Sequence, residues 1–180
     1  HAGEEEIILN AWEKVRAEIP NLRLILAPRH PERFEAVARL LAERSIRFAR
    51  FTNPAVENPE AILVDAIGVL AKLYGLGAAA ILGGSFVPVG GHNLLEAAVH
   101  SIPVIYGPHM HKQPEILKIF QEGEGGIQLT EKELASKMEY LISHEEERRR
   151  LGNAAAQTAL QNRGSARRTV EFIRRFTERS

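Results

Sequence analysis

The sequence has 180 residues, 44% hydrophobic and 26% charged, which is material for one domain with one substantial core. Lys and Arg number 23 and Asp and Glu number 23, so no net basic field draws the chain to nucleic acid or an anionic membrane surface. Cysteine is absent, which excludes disulfides, thiolate zinc sites and cysteine nucleophiles within these residues, and no apolar run approaches the roughly 20 residues that span a bilayer.

Helical and strand patterns alternate along the chain. Ile7, Ile8, Ala11, Trp12, Val15 and Ile19 recur at helical spacing, Pro20 and Asn21 stop the helix, and residues 22–27 form a short apolar run ending in Pro28-Arg29-His30. Phe34, Val37, Ala38 and Leu41 mark a second helix, residues 47–51 a strand, and 53–59 a loop rich in Pro and Asn. Residues 61–64 read as a buried strand, followed by Asp65-Ala66-Ile67-Gly68 and a short helix over 69–74. The apolar stretch 78–82 runs into a Gly-rich loop, after which a helix is expected over 92–100 and a strand over 103–106. A turn over 107–111, a helix over 114–122 and a last strand over 126–129 follow. Thr130 with Glu133 predicts a capping box for the next helix. Two further helices are expected over 145–162 and 165–178, separated by Gly164.

Short apolar strands separated by helices predict a doubly wound, Rossmann-like α/β fold with a mostly parallel sheet covered on both faces. Ligands in this architecture sit outside the C-terminal strand ends, and four suggestive segments fall there: 28–30, 65–69, 83–96 and 107–112. Residues 83–96 have the strand, Gly-rich loop, helix order that turns bare N–H groups and a positive helix end toward an anion. A Gly-rich loop before a helix serves equally well as a tight turn. The chain opens at His1-Ala2-Gly3-Glu4-Glu5-Glu6, a strand-to-helix loop and first helical turn with no strand before them. A central strand is therefore expected upstream, and the 180 residues are read as one domain of a longer protein.

Together, Gly83-Gly84-Ser85-Phe86, Gly90-Gly91-His92-Asn93-Leu94-Leu95-Glu96, Pro28-Arg29-His30-Pro31 and Gly107-Pro108-His109 resemble the C-terminal half of the 3-deoxy-D-manno-octulosonic acid (Kdo) transferases. The resemblance covers essentially the whole chain, but only about half of a family member. It implies one half of a two-domain GT-B glycosyltransferase that moves Kdo from CMP-Kdo to a lipid A precursor at the bacterial inner membrane. It also implies inversion at the anomeric carbon, no metal or other cofactor, and a catalytic base in the N-terminal domain. No catalytic residue is expected in this chain.

The resemblance implies a donor site built from Pro28, Arg29, Ile67, Gly68, Val69, Gly84, Ser85, Gly91, His92, Asn93, Leu94, Leu95 and Glu96, with His30 and Lys112 as possible additions. The chemistry is consistent with it: glycines permit close backbone approach, the Arg29 fork suits phosphate or the Kdo carboxylate, and a carboxylate such as Glu96 accepts two ribose hydroxyls. Ile67, Gly68 and Val69 would present main-chain groups to base or ribose; the family more often has Glu-Leu where Val69-Leu70 stand here. Plainer readings remain beside these. Arg29 could pair with Glu32, and His92 could cap its helix. His109 and His111, in a loop without carboxylate or thiolate company, are poor zinc ligands. The arginines at 148–150, 167, 168, 174, 175 and 179 fit solvated helix faces. Two other functions share the pattern: a non-hydrolysing UDP-sugar epimerase of GT-B architecture, and a non-enzymatic nucleotide-binding module.

Overall fold

A computed structural model describes residues 1–163; the helix expected over 165–178, with its arginines, lies outside the described residues. Helix α1 (Glu4–Glu18) buries Ile8, Leu9, Trp12 and Val15 along one stripe. There follow β1 (Leu24–Leu26), α2 (Phe34–Glu43), β2 (Phe48–Arg50), β3 (Ala61–Leu63), α3 (Leu70–Leu73) and β4 (Ala80–Ile81). The chain continues through α4 (Leu94–Ala98), β5 (Val104–Tyr106), α5 (Pro114–Glu122), β6 (Ile127–Gln128), α6 (Glu131–Ser143) and α7 (Glu145–Arg163).

All the strand pairings are parallel, as the alternation of strand and helix requires. The strands form two three-stranded sheets, ordered β1-β3-β2 and β4-β5-β6, in place of the one sheet expected. The physical reason is local: among the described residues β1 and β4 each pair on one side only, and their other edges line a common cavity of about 520 Å³, floored by Ile8 and Trp12 of α1. Buried apolar clusters lie on both faces of the β4-β5-β6 sheet. Ile105 of β5 belongs to the buried cluster that also holds residues of α1, α2 and α6, while its neighbours Val104 and Tyr106 belong to the cluster with residues of α4, α5 and α7, the two-residue alternation of a strand covered on both sides. Fully buried side chains such as Leu9, Leu41 and Leu63 contribute on the order of 1.5–3 kcal/mol each.

The α6–α7 corner is fastened by side chains. The Thr130 N–H donates to Glu133 Oε2 at 2.8 Å in the expected capping box. Arg148 donates to the carbonyls of Leu141 and Ile142 at 2.9 and 3.0 Å, satisfying acceptors that the end of α6 leaves open. Its neighbours Arg149 and Arg150 form the surface pairs expected of a solvated helix, with Glu145 at 2.6 Å and Glu147 at 2.7 Å.

Candidate functional site

β4 leads through Leu82 into a loop that closes on itself. Gly84, Gly90 and Gly91 have φ of +71°, +111° and +77°, a region in which side chains are strained. There the N–H groups of Gly90 and Gly91 both donate to the Gly84 carbonyl, at 3.1 and 2.7 Å, and the His92 N–H donates to the Gly83 carbonyl at 3.1 Å. The loop after β5 packs directly against this ring: a Cβ on Gly91 would strike Met110, and one on Gly107 would strike the Ser85 backbone. Ser85 Oγ donates to the Leu82 carbonyl at 2.6 Å and accepts from the Gly107 N–H at 2.9 Å. The Ser85 carbonyl accepts from the His109 N–H at 2.9 Å.

The first part of the loop is not a vacant anion cradle, since the N–H groups of Gly84, Ser85 and Phe86 already have an acceptor. Glu4, in the first turn of α1 and 1% exposed, points its carboxylate into the cradle. Oε2 accepts from the Gly84 N–H at 2.6 Å, and Oε1 accepts from Ser85 and Phe86 at 2.9 and 3.0 Å. Glu5 beside it pairs instead with Arg33 at 3.0 Å.

Around the cradle stand three imidazoles. His1 Nε2 lies 2.9 Å from His92 Nε2, so one ring donates and the other accepts, and the His30 ring centre is 5.7 Å from that of His1. Burial pushes His92 below its ordinary value of 6.5; the Arg29 charge acts in the same sense and Glu4 opposes it. Arg29 is exposed above a buried Pro28 and forms no ion pair among the described residues. The pairing with Glu32 is made, loosely, by His30 at 3.9 Å. Pro28, Arg29, Gly83 and His92 line one end of the cavity between β1 and β4 together with His1.

α4 starts later than expected, and Asn93 rather than His92 caps it: Asn93 Oδ1 accepts from the Leu95 N–H at 3.0 Å. Leu94 is fully buried and its side chain packs in the core beneath. Leu95 is half-buried, whereas Glu96 is exposed, and its charge reaches Tyr74, whose hydroxyl burial pushes up to about 12 with Glu96 adding to the rise. Lys112 lays its stem over Gly90, its N–H donating to the Gly90 carbonyl at 3.1 Å, and is exposed. In the loop after β3, Ile67 is 65% exposed and Gly68 has φ +80° with open space around it. Ile67, Gly68, Val69 and Glu96 lie outside the cavity lining. Asp65, just before them, is held by Thr52: burial pushes its carboxyl up, but bonds from the Thr52 N–H and hydroxyl at 3.0 and 2.7 Å, with Arg50, leave it below its ordinary value. Among the described residues no three His, Cys, Asp or Glu side chains converge to hold a metal ion.

Residues 92–174 match a family model described as glycosyl transferase-like. The chain is 40% identical to the 3-deoxy-D-manno-octulosonic acid transferase of Haemophilus influenzae, over 100% of this chain and 43% of that protein. It is 44% identical to the transferase of the same name from Aquifex aeolicus, over 82% of this chain and 41% of that protein. The chain belongs to the Kdo transferase family. It spans less than half the length of these curated relatives. Among solved structures, the C-terminal CMP-Kdo binding domain of WaaA from Acinetobacter baumannii superposes with a TM-score of 0.81 at 26% identity, covering 88% of this chain and 84% of that one.

Two residues of this Kdo transferase chain gain a role that the sequence pattern does not give them. His1 completes the imidazole group, and Glu4 fills the loop. Acidic residues in a first helical turn normally signal only a favourable interaction with the helix dipole. Nothing in the local pattern says that Glu4 reaches a loop 80 positions away.

Proposed function

We propose that this chain is the donor-binding domain of a Kdo transferase, holding CMP-Kdo on the rim where the parallel strands end. In this reading it serves an inverting, metal-independent transfer of Kdo to a lipid A precursor in lipopolysaccharide synthesis. The observation that carries the proposal is the likeness, over 88% of the chain, to a domain that binds CMP-Kdo. The rim geometry supports it, because Arg29 is a cation without a carboxylate partner among the described residues, next to the His92 loop.

In this proposal the Arg29 fork grips the phosphate or the Kdo carboxylate, with His30 and Lys112 as secondary cations and Pro28 fixing the turn beneath. Glu96 accepts the ribose hydroxyls; Gly91, His92, Asn93 and Leu95 form the wall between. Main-chain groups of Ile67, Gly68 and Val69 meet the base or ribose. An acceptor hydroxyl oxygen attacks the anomeric carbon, the bond from that carbon to the CMP phosphate oxygen breaks, and CMP leaves with the electron pair. The hydroxyl proton goes to an acidic residue of the N-terminal domain. This half stabilises the charge that develops on the departing phosphate. The remainder of the protein supplies that domain, its attachment to the cytoplasmic face of the inner membrane, and a strand that fills the cavity between β1 and β4. Among the described residues no helix is long and apolar enough to cross a membrane.

Calorimetry with CMP tests the site. Arg29→Ala and Glu96→Ala are each expected to weaken binding by roughly ten- to a hundred-fold, the effect of losing a charge-assisted hydrogen bond, and UDP is expected to bind more weakly than CMP. Unchanged CMP affinity in both variants removes these residues from the site.

A further inference from the structure

We propose that Glu4 is a positioning residue of the donor site. Its carboxylate is an internal anion that fills the backbone cradle of the Gly-rich loop, fixes the loop's shape, and directs the donor's own anion to Arg29. Three successive N–H groups converging on one point form the kind of concavity that binds phosphate in many α/β proteins. Here the point is occupied by the chain itself, since Gly84, Ser85 and Phe86 donate to the two Glu4 oxygens at 2.6, 2.9 and 3.0 Å. An ionised carboxylate accepts only, so it matches three converging donors without conflict. A phosphate placed there would find no free donor and a like charge at contact distance.

The cradle also couples three parts of the rim. Glu4 belongs to α1; Ser85, which it holds by the main chain, holds Gly107 through Oγ at 2.9 Å and His109 through its carbonyl at 2.9 Å. The Gly83 carbonyl in turn receives the His92 N–H. Removing the Glu4 carboxylate therefore leaves three buried N–H groups without acceptors and loosens the loops that flank Arg29 and His92. The structural coupling stands on geometry alone; its consequence for the donor rests on the CMP-Kdo reading.

The test uses the full-length protein with Glu4→Ala and Glu4→Gln. In Glu4→Ala the amide NMR signals of Gly84, Ser85 and Phe86 are expected to shift and CMP affinity to fall roughly ten-fold or more. Added formate, a carboxylate small enough to enter the vacated space, is expected to restore both, whereas chloride at the same ionic strength restores neither. Glu4→Gln, which sets one NH₂ against converging donors, is expected to fall between. Undiminished CMP affinity in a folded Glu4→Ala, or affinity lost and not recovered with formate, overturns the proposal. If Glu4→Ala does not fold, Glu4→Gln decides, and unmoved amides with unchanged affinity overturn it. If the unsubstituted protein binds no CMP, the donor reading fails on its own. The amide shifts then decide the cradle: their reversal by formate supports it, and shifts that formate leaves in place overturn it.

Discussion

His92 links the acid–base behaviour of the rim to its ligand. Its folded-state value lies below 6.5, chiefly through burial, so as pH falls past that point the unfolded chain takes up this proton before the native chain does. The stability contributed by the neutral ring is complete above about 6.5 and is lost as pH falls toward the folded-state value. Denaturant unfolding between about pH 7.5 and 5.5 is expected to show a larger loss of stability for the natural protein than for His92→Gln; parallel curves would dismiss the effect. A nucleotide phosphate beside His92 favours the imidazolium. Binding of CMP should then draw in a proton, and its heat should vary with the ionisation heat of the buffer. A buffer-independent heat places the phosphate elsewhere. Residues differ in how far sequence exposes them. Arg29 is legible because a strand end followed by Pro-Arg fixes a cation on the rim with no knowledge of distant partners. The burial of Leu94 and the reach of Glu4 are not legible, because each depends on what folds against it: a core under α4 for one, a loop after β4 for the other.

The elements are legible where local physics decides them. The apolar spacing of α1 and α2 is realised, α5 covers the helix expected over 114–122, and the capping box of α6, whose two partners lie three residues apart, is formed. Thr130→Ala is expected to cost about 1 kcal/mol, read as a fall of roughly 2–4 °C in Tm; an unchanged Tm would mean that the box adds nothing to α6. The elements around the site are less legible. α4 covers Leu94–Ala98 and not the whole of 92–100, because positive φ at Gly91 and an extended Asn93 hold the preceding residues in the loop, while Ser101 at φ +58° follows a turn at the other end. β4 and β6 shrink to two residues each, both paired with β5. Strand length depends on a partner's extent, which apolar pattern does not encode.

At the scale of the whole molecule, the parallel α/β class is legible and the division into two sheets is not, since the facing edges of β1 and β4 find no partner strand among the described residues. Hydrogen bonds fix which groups are left over. Leu24 donates to the Glu60 carbonyl and Val64 donates to the Leu26 carbonyl, so Leu24 and Leu26 direct their groups to β3 and Ile25 points away. On the other side Ala80 and Leu82 donate to the carbonyls of Pro103 and Ile105, so Ile81 points away from β5. Ile25 and Ile81 both line the cavity of about 520 Å³. Two parallel strand edges facing an apolar space are strongly unfavourable unless their polar groups are matched, and the buried Trp12 N–H in the same lining has no acceptor among the described residues. One parallel strand satisfies both edges. The C-terminal ends of β1 and β4 lie toward the end lined by His1, so a parallel strand placed in the cavity would point its own C-terminal end the same way. The proposed occupant is that strand, supplied by the longer protein, which joins the sheets in the order β2-β3-β1-new-β4-β5-β6 and sets Arg29 and His92 at the crevice where the winding reverses. Hydrogen exchange measures this directly. The amides of Ile25 and Ile81 are expected to exchange slowly in the full-length protein and orders of magnitude faster in the 180-residue chain. A proline in the entering strand should release them, because it interrupts the ladder that holds the strand's carbonyls against their N–H groups. Equal exchange of Ile25 and Ile81 in the longer and shorter proteins would show that the cavity takes no strand and leave it as a pocket for a small apolar molecule.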